Sequence, residues 1–224
     1  MARYQHEPAD VREALRRAGA LGADLDLTLL DTRAATAHAL RAVNRRCGET
    51  IDVDAFVARL GPPIRQELAH WVAPERIPQA VEVFRDCFLS EGIHLLRPLP
   101  GAGDLADAVT AASRRLVVIT SRIPQVARRC LTVCGLSTAA VVGGVTGPEK
   151  AAPMTAHRIA VYVGDHVLDM QAAKIAGIPG IAVTTGSHRA GELRQAGAAW
   201  ILDDLTDLAH LVRRTHTGID DTEP

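Results

Sequence analysis

The feature that most constrains this chain is how its apolar runs are spaced. A short apolar lead, Ala20-Leu21-Gly22-Ala23, is followed from Arg33 to about Arg97 by helical patterning with no convincing strand. After Pro98 the rhythm changes to strand and helix in alternation, with apolar runs at Leu116-Val117-Val118-Ile119, Ala140-Val141-Val142, Ile159-Ala160-Val161-Tyr162-Val163, Ile181-Ala182-Val183 and Trp200-Ile201-Leu202. These runs lack polar alternation, as strands buried on both faces do, so they predict an α/β fold with a doubly wound, mainly parallel sheet. A helical insert after the first strand predicts an all-helical cap over the strands' carboxyl ends, where such sheets bind ligands.

In detail, Val11, Leu15 and Ala18 mark a surface helix over residues 8–18. Within the insert, Thr32 is placed to cap a helix running to Arg46, and Gly48 to stop it. Asp52-Val53-Asp54 opens a second helix ending at Gly61; Ile64, Leu68 and Trp71 mark a third; Pro74-Glu75 opens a fourth. Further helices are expected at 103–113, 123–134, 167–176, 190–196 and 205–213. The expected division is a core of 1–32 and 98–214, a cap of 33–97, and a disordered tail over 215–224.

Two carboxylates, Asp24 and Asp26, stand i, i+2 at the end of the first strand and therefore point the same way. Such a pair suits one nucleophile and one proton carrier, although Asp-x-Asp-x-Thr alone is common in turns. A hydroxyl pair, Thr120-Ser121, closes the strand at 116–119. There it is placed either to hold a phosphoryl oxygen beside free backbone N–H groups or to cap the next helix. Lys150 is one of only two lysines in a chain with 25 basic residues, so its loop position stands out. Asp165 ends another strand, with Asp169 four residues on, so both face one point if a helix starts there.

Taken together, Asp24-Leu25-Asp26-Leu27-Thr28, Val118-Ile119-Thr120-Ser121, Lys150 and Val163-Gly164-Asp165-His166-Val167-Leu168-Asp169 resemble the four motifs of the haloacid dehalogenase superfamily. The resemblance extends from Gly22 to Leu211 and is to the phosphoglycolate-phosphatase-like branch with a helical cap. It implies a Mg²⁺-dependent phosphatase working through an aspartyl-phosphate. Asp24 would be the nucleophile and Asp26 the general acid/base, with Thr120 and Lys150 completing the catalytic set. Asp24, the Asp26 carbonyl and Asp165 would bind Mg²⁺, with Asp169 orienting Lys150 or a metal-bound water. Thr28, Ser121 and Arg65 are the expected substrate contacts. Arg65 follows Gly61-Pro62-Pro63, which resembles the family's cap specificity loop, and Arg45, Arg46 and Arg59 are its rivals. Two departures stand out: Leu27 replaces the usual Gly and demands either ordinary backbone angles or strain, and Ala23 replaces a bulkier residue. The stretch from Lys150 to the next strand is short, so its helix is expected to shrink to a turn. His166 is expected to start a helix at the site rim or in solvent.

Within that superfamily, Asp26 argues against dehalogenation, and a cap without lysine excludes Schiff-base chemistry. Hydrolysis of a small organic phosphate monoester is the leading expectation. An intramolecular phosphomutase or a non-catalytic phosphometabolite binder are the alternatives. A formal net charge of -1 gives no electrostatic case for a nucleic-acid or membrane partner, and no 18-residue apolar run is present. Arg16-Arg17 precedes too short an apolar run for a twin-arginine signal. Cys47, Cys87, Cys130 and Cys134 form no complete zinc set, so free thiols in a reducing cytoplasm are expected. A monomer or homodimer is equally compatible with the sequence.

Overall fold

A computed structural model describes residues 8–217. Helix α1 (Ala9–Arg16) leads into β1 (Ala20–Ala23). The two-residue strand β2 (Leu30–Asp31) then passes into the helices α2 (Arg33–Cys47), α3 (Val53–Val57), α4 (Ile64–Leu68) and α5 (Ile77–Ser90). The chain returns through β3 (Arg97–Pro98), which pairs antiparallel with β2. It continues as α6 (Ala102–Ala111), β4 (Arg115–Thr120), α7 (Pro124–Val133) and β5 (Ala140–Gly143). After a 3₁₀ turn at Gly147–Lys150 come α8 (Ala151–Ala156), β6 (Val161–Gly164), α9 (Val167–Ala176), β7 (Gly180–Val183), α10 (Ala190–Gln195), β8 (Ala198–Leu202) and α11 (Thr206–Thr217).

The main sheet has the order β5-β4-β1-β6-β7-β8 and is parallel throughout. Successive residues of each strand enter different cores. Leu21, Val118, Val163 and Val183 join α1, α6 and α11 on one face, while Ala20, Ile119 and Tyr162 pack with Met154, Ala172 and Ala173 of α8 and α9 on the other. Both faces are therefore covered, which is why the strands read as unbroken apolar runs. The order reverses between β1 and β6, so the crevice at their carboxyl ends is the topological switch point.

The insert is helical because its apolar residues recur with helical spacing. On α5, Ile77, Ala80, Val81, Phe84, Cys87 and Phe88 are buried, and on α2, Ala35, Ala39, Leu40 and Val43. These two stripes face each other and form the spine of the cap.

The structure corrects several sequence expectations. Thr32 sits at the start of α2 but makes no capping bond; Asp31 Oδ1 accepts from Arg33 N at 3.0 Å instead. The second cap helix stops at Val57, and the fourth begins at Ile77, not Pro74. The segment after Lys150 keeps a six-residue helix, α8. Helix α11 continues through 215–217, and the remainder of the expected tail lies outside the described residues. The β2–β3 ribbon was not anticipated, since two-residue strands are too short to show a period. No described helix is long and apolar enough to cross a membrane.

Candidate active site

The site starts from β1, whose register carries Asp24 past the strand end with its N–H donated to Val163 O of β6 at 2.9 Å. That bond fastens the carboxyl ends of β1 and β6 together, so Asp24 and Asp165 meet at the switch point. Asp24, Asp165 and Asp169 each offer a carboxylate oxygen, and the three oxygens lie within 4.8 Å of one another. Lys150 Nζ bridges two of them, at 3.0 Å from Asp24 Oδ1 and 2.7 Å from Asp169 Oδ1. Thr28, fully buried, donates its hydroxyl to Asp165 Oδ1 at 2.9 Å. Asp169 is fixed by the start of α9, where its Oδ2 accepts from His166 N at 3.3 Å.

Electrostatics follow from this crowding. Burial pushes the Asp24 carboxyl up to about 7, opposed by Lys150 and reinforced by Asp169 and Asp26. Asp165 is also raised well above the ordinary carboxylate range, first by burial and then by Asp24 and Asp169. Burial works against a charged Lys150, but Asp169 and Asp24 outweigh it and hold the ammonium above the usual lysine range. Two buried carboxylates and the half-buried Asp24 thus share one cation. An all-oxygen cluster with surplus negative charge fits a hard divalent cation such as Mg²⁺. Asp24 and Asp165 could hold it: Asp169 has both oxygens engaged, Oδ1 by Lys150 and Oδ2 by His166 N–H, whereas Lys150 reaches Asp24 at Oδ1 and Thr28 reaches Asp165 at Oδ1.

Asp26 has a different partner. Its carboxylate is gripped by Arg122, with Nε at 2.9 and 2.8 Å from the two oxygens and Nη2 at 2.7 Å from Oδ1. The Arg122 guanidinium lies 4.3 Å from the ring centroid of Phe88 on α5. Asp24, Asp26, Ser121 and Arg122 form the floor of a cavity of about 140 Å³ beneath the cap. Its roof includes Phe56, Leu60, Phe84 and Phe88, with Arg65 and Arg85 among the polar lining. Thr36 also lines it, and its buried hydroxyl has no hydrogen-bond partner among the described residues.

The structure brings together Asp24, Thr28, Lys150, Asp165 and Asp169 around one point, and Asp26, Ser121 and Arg65 on the adjoining cavity. Thr120 is fully buried and does not line that cavity; its hydroxyl oxygen accepts from Arg122 N at 3.3 Å, bracing the turn after β4. The rival arginines are engaged elsewhere or off the cavity: Arg46 pairs with Asp86 at 3.2 Å, Arg59 with Glu67 at 2.8 Å, and Arg45 is exposed.

Leu27 takes a left-handed backbone, φ +56°, the conformation for which glycine is suited. Its N–H donates to Leu30 O at 2.8 Å, and its carbonyl accepts from the Thr185 hydroxyl. The turn is thereby held from both sides, and the buried side chain anchors it further.

Sequence reasoning missed Arg122, Arg85, Phe88 and Gly186. A Cβ on Gly186 would stand 1.9 Å from Asp165 Oδ2, so only glycine leaves room for that carboxylate. His166 starts a helix as expected, capping α9 and lying half-buried against Gly61 of the cap rather than in solvent. Its Nδ1 accepts from Leu168 N at 3.1 Å, and its Cδ2 would meet a Cβ on Gly61 at 2.8 Å. Gly61 has φ +151°, so this close cap–core contact depends on glycine twice over.

A model of haloacid dehalogenase-like hydrolases matches residues 23–183. The chain is 31% identical over 216 residues to a phosphoglycolate phosphatase of Xylella fastidiosa, covering 85% of this chain and 90% of that one. Among solved structures, a haloacid dehalogenase-like family hydrolase of Streptococcus pneumoniae superposes with TM-score 0.75 at 23% identity, covering 86% of this chain and 98% of that one. CbbY of Rhodobacter sphaeroides, solved in complex with phosphate, gives 0.71 at 19% identity, covering 85% and 96%. The last two likenesses concern the fold.

Proposed function

The chain belongs to the haloacid dehalogenase-like hydrolase family, and from that premise we propose that it is a Mg²⁺-dependent phosphatase of small organic phosphate monoesters. The observation that carries this reading is the largely buried cluster of Asp24, Lys150, Asp165 and Asp169, whose Asp24 lines a small, partly open cavity. A cavity of about 140 Å³ suits a small molecule. The relatives named phosphoglycolate phosphatases, and the arginines Arg65 and Arg85 on the cavity wall, favour an ester that carries a second anionic group.

In this mechanism an Asp24 oxygen attacks phosphorus and the ester oxygen departs, taking a proton from Asp26. Asp26 then accepts a proton from the water that attacks the aspartyl-phosphate, so phosphate leaves and both aspartates are restored. Lys150 holds Asp24 in place and offsets negative charge on the transferring group, with Asp169 aligning the ammonium. Mg²⁺, held by Asp24, Asp165 and the Asp26 carbonyl, would supply the further positive charge that brings two anions together. Ser121 lies on the cavity wall, where its hydroxyl can bind a phosphoryl oxygen.

The test is phosphate release from a panel of small esters led by phosphoglycolate, with and without Mg²⁺, beside Asp24→Asn. Release that requires both Mg²⁺ and Asp24 is expected. Equal release by Asp24→Asn, or by protein stripped with EDTA, would refute the mechanism.

A further inference from the structure

One contact in the site conflicts with the role assigned to Asp26. A general acid must carry a proton on one carboxyl oxygen, yet both oxygens of Asp26 accept N–H bonds from Arg122, at 2.7 to 2.9 Å. A guanidinium does not give up its proton, so a carboxylate held in this two-pronged grip is an acceptor only. The two side chains are also poorly hydrated, 16% and 17% exposed, so the grip is not loosened by solvent. For Asp26 to serve the leaving group, Arg122 must let go.

We propose that Arg122 is a substrate-operated latch on Asp26: an ester bearing a second anionic group draws the guanidinium to itself and frees Asp26 for proton transfer. This rests on the phosphatase reading above and adds the device by which substrates are told apart. Three observations support it. Arg122 lines the cavity, and the exposed Arg65 and Arg85 border it as well, so an anion entering there comes into a basic setting. A carboxylate on the ligand offers Arg122 the same planar, two-oxygen geometry that Asp26 offers now. The guanidinium is also stacked on Phe88 of the cap, so its position depends on where α5 sits as a ligand fills the space beneath. An ester with no second anion binds through its phosphate alone and leaves the latch shut. It forfeits the general-acid contribution, about 10²–10⁴-fold in rate.

Phosphoglycolate and ethyl phosphate share a two-carbon length and differ in one carboxylate, so they isolate the effect. Steady-state kcat and KM for both would be measured with Mg²⁺ for the wild type, Arg122→Gln and Arg122→Lys, with thermal midpoints confirming that each variant folds. The wild type is expected to favour phosphoglycolate in kcat by about 10²-fold or more. Arg122→Gln should raise kcat for ethyl phosphate toward that for phosphoglycolate, so that the preference collapses. Arg122→Lys, which keeps the charge but loses the two-pronged grip, should fall between. Equal wild-type kcat for the two esters would overturn the latch without any variant. So would parallel losses on both esters in Arg122→Gln, or a change confined to KM for phosphoglycolate. A folded wild type inert toward both esters would overturn the phosphatase reading and the latch together, whereas the other adverse results overturn the latch alone.

Discussion

Replacing Leu27 by Gly and by Ala gives two variants whose order of stability reads the backbone directly. Leu27 holds φ +56° and is 2% exposed. Either truncation empties the space its side chain fills, a loss of about 2–5 kcal/mol for a buried leucine. The variants then differ in backbone alone, apart from one methyl group. Where φ is positive, Ala is less stable than Gly by about 1 kcal/mol, because a Cβ is strained there. At ordinary angles the order is opposite, Gly being worse by about 0.5–1 kcal/mol through its greater freedom when unfolded. Leu27→Gly is therefore expected below the wild type but about 1 kcal/mol above Leu27→Ala, roughly 2–4 °C in midpoint for a chain of this size. Relaxation to negative φ is resisted by the bonds from Leu27 N–H to Leu30 O and from the Thr185 hydroxyl to the Leu27 carbonyl. Urea unfolding of the metal-free variants, with m-values compared, measures the difference. Leu27→Ala as stable as Leu27→Gly, or more so, would refute the claim that this turn carries strain.

The other predictions concern charge and room at the cluster. Burial lifts Asp24 from 3.8 to about 7, so the metal-free native state holds a proton that the unfolded chain has released; stability must fall as pH rises across that window. Asp24→Asn should remove this dependence and leave the metal-free protein more stable at pH 8, by at most about 4 kcal/mol, while abolishing turnover. Parallel pH-stability curves for the two proteins would show that Asp24 ionises freely. Gly186→Ala drives a methyl group into the Asp165 carboxylate, which a Cβ would approach to 1.9 Å. Its expected signature is a rise of about 10-fold or more in the Mg²⁺ concentration for half-maximal activity, with partial rescue at high Mg²⁺; an unchanged Mg²⁺ titration would remove Asp165 from the metal site.

What the sequence disclosed and what it hid divide along a physical line. Asp24, Asp165, Lys150 and Asp169 lie at or just after the ends of apolar strands or in the turns between them. Parallel strands deliver their carboxyl ends to one edge, so position along the chain translates into position in space. The α/β alternation and the helical insert were legible for the same reason. The ribbon of β2 and β3 was not, since two residues carry no period. Arg122 stood beside Ser121 and was the nearest thing to a visible omission. A basic residue directly after a hydroxyl pair at a strand end is placed to reach the same crevice. Phe88, Arg85 and Thr36 are different, because only the docking of the cap over the core brings them to Asp26, and helical periodicity marks Phe88 merely as core.

The departure from the family at Leu27 and the grip of Arg122 bear on the same short segment. Asp26 lies between Asp24, whose N–H is tied to β6, and Leu27, whose left-handed turn is tied at both its N–H and its carbonyl. A strained but well-fastened backbone fixes where the Asp26 side chain emerges and leaves its rotamer as the main freedom. Arg122 restrains that remaining freedom from the opposite wall of the crevice. If the backbone is rigid and the rotamer is latched, then relaxing the turn by Leu27→Gly should loosen the latch less than removing Arg122 does. Ethyl phosphate turnover should accordingly rise in Arg122→Gln and stay near the wild-type value in Leu27→Gly. The reverse ranking would mean that the turn, not the guanidinium, controls Asp26.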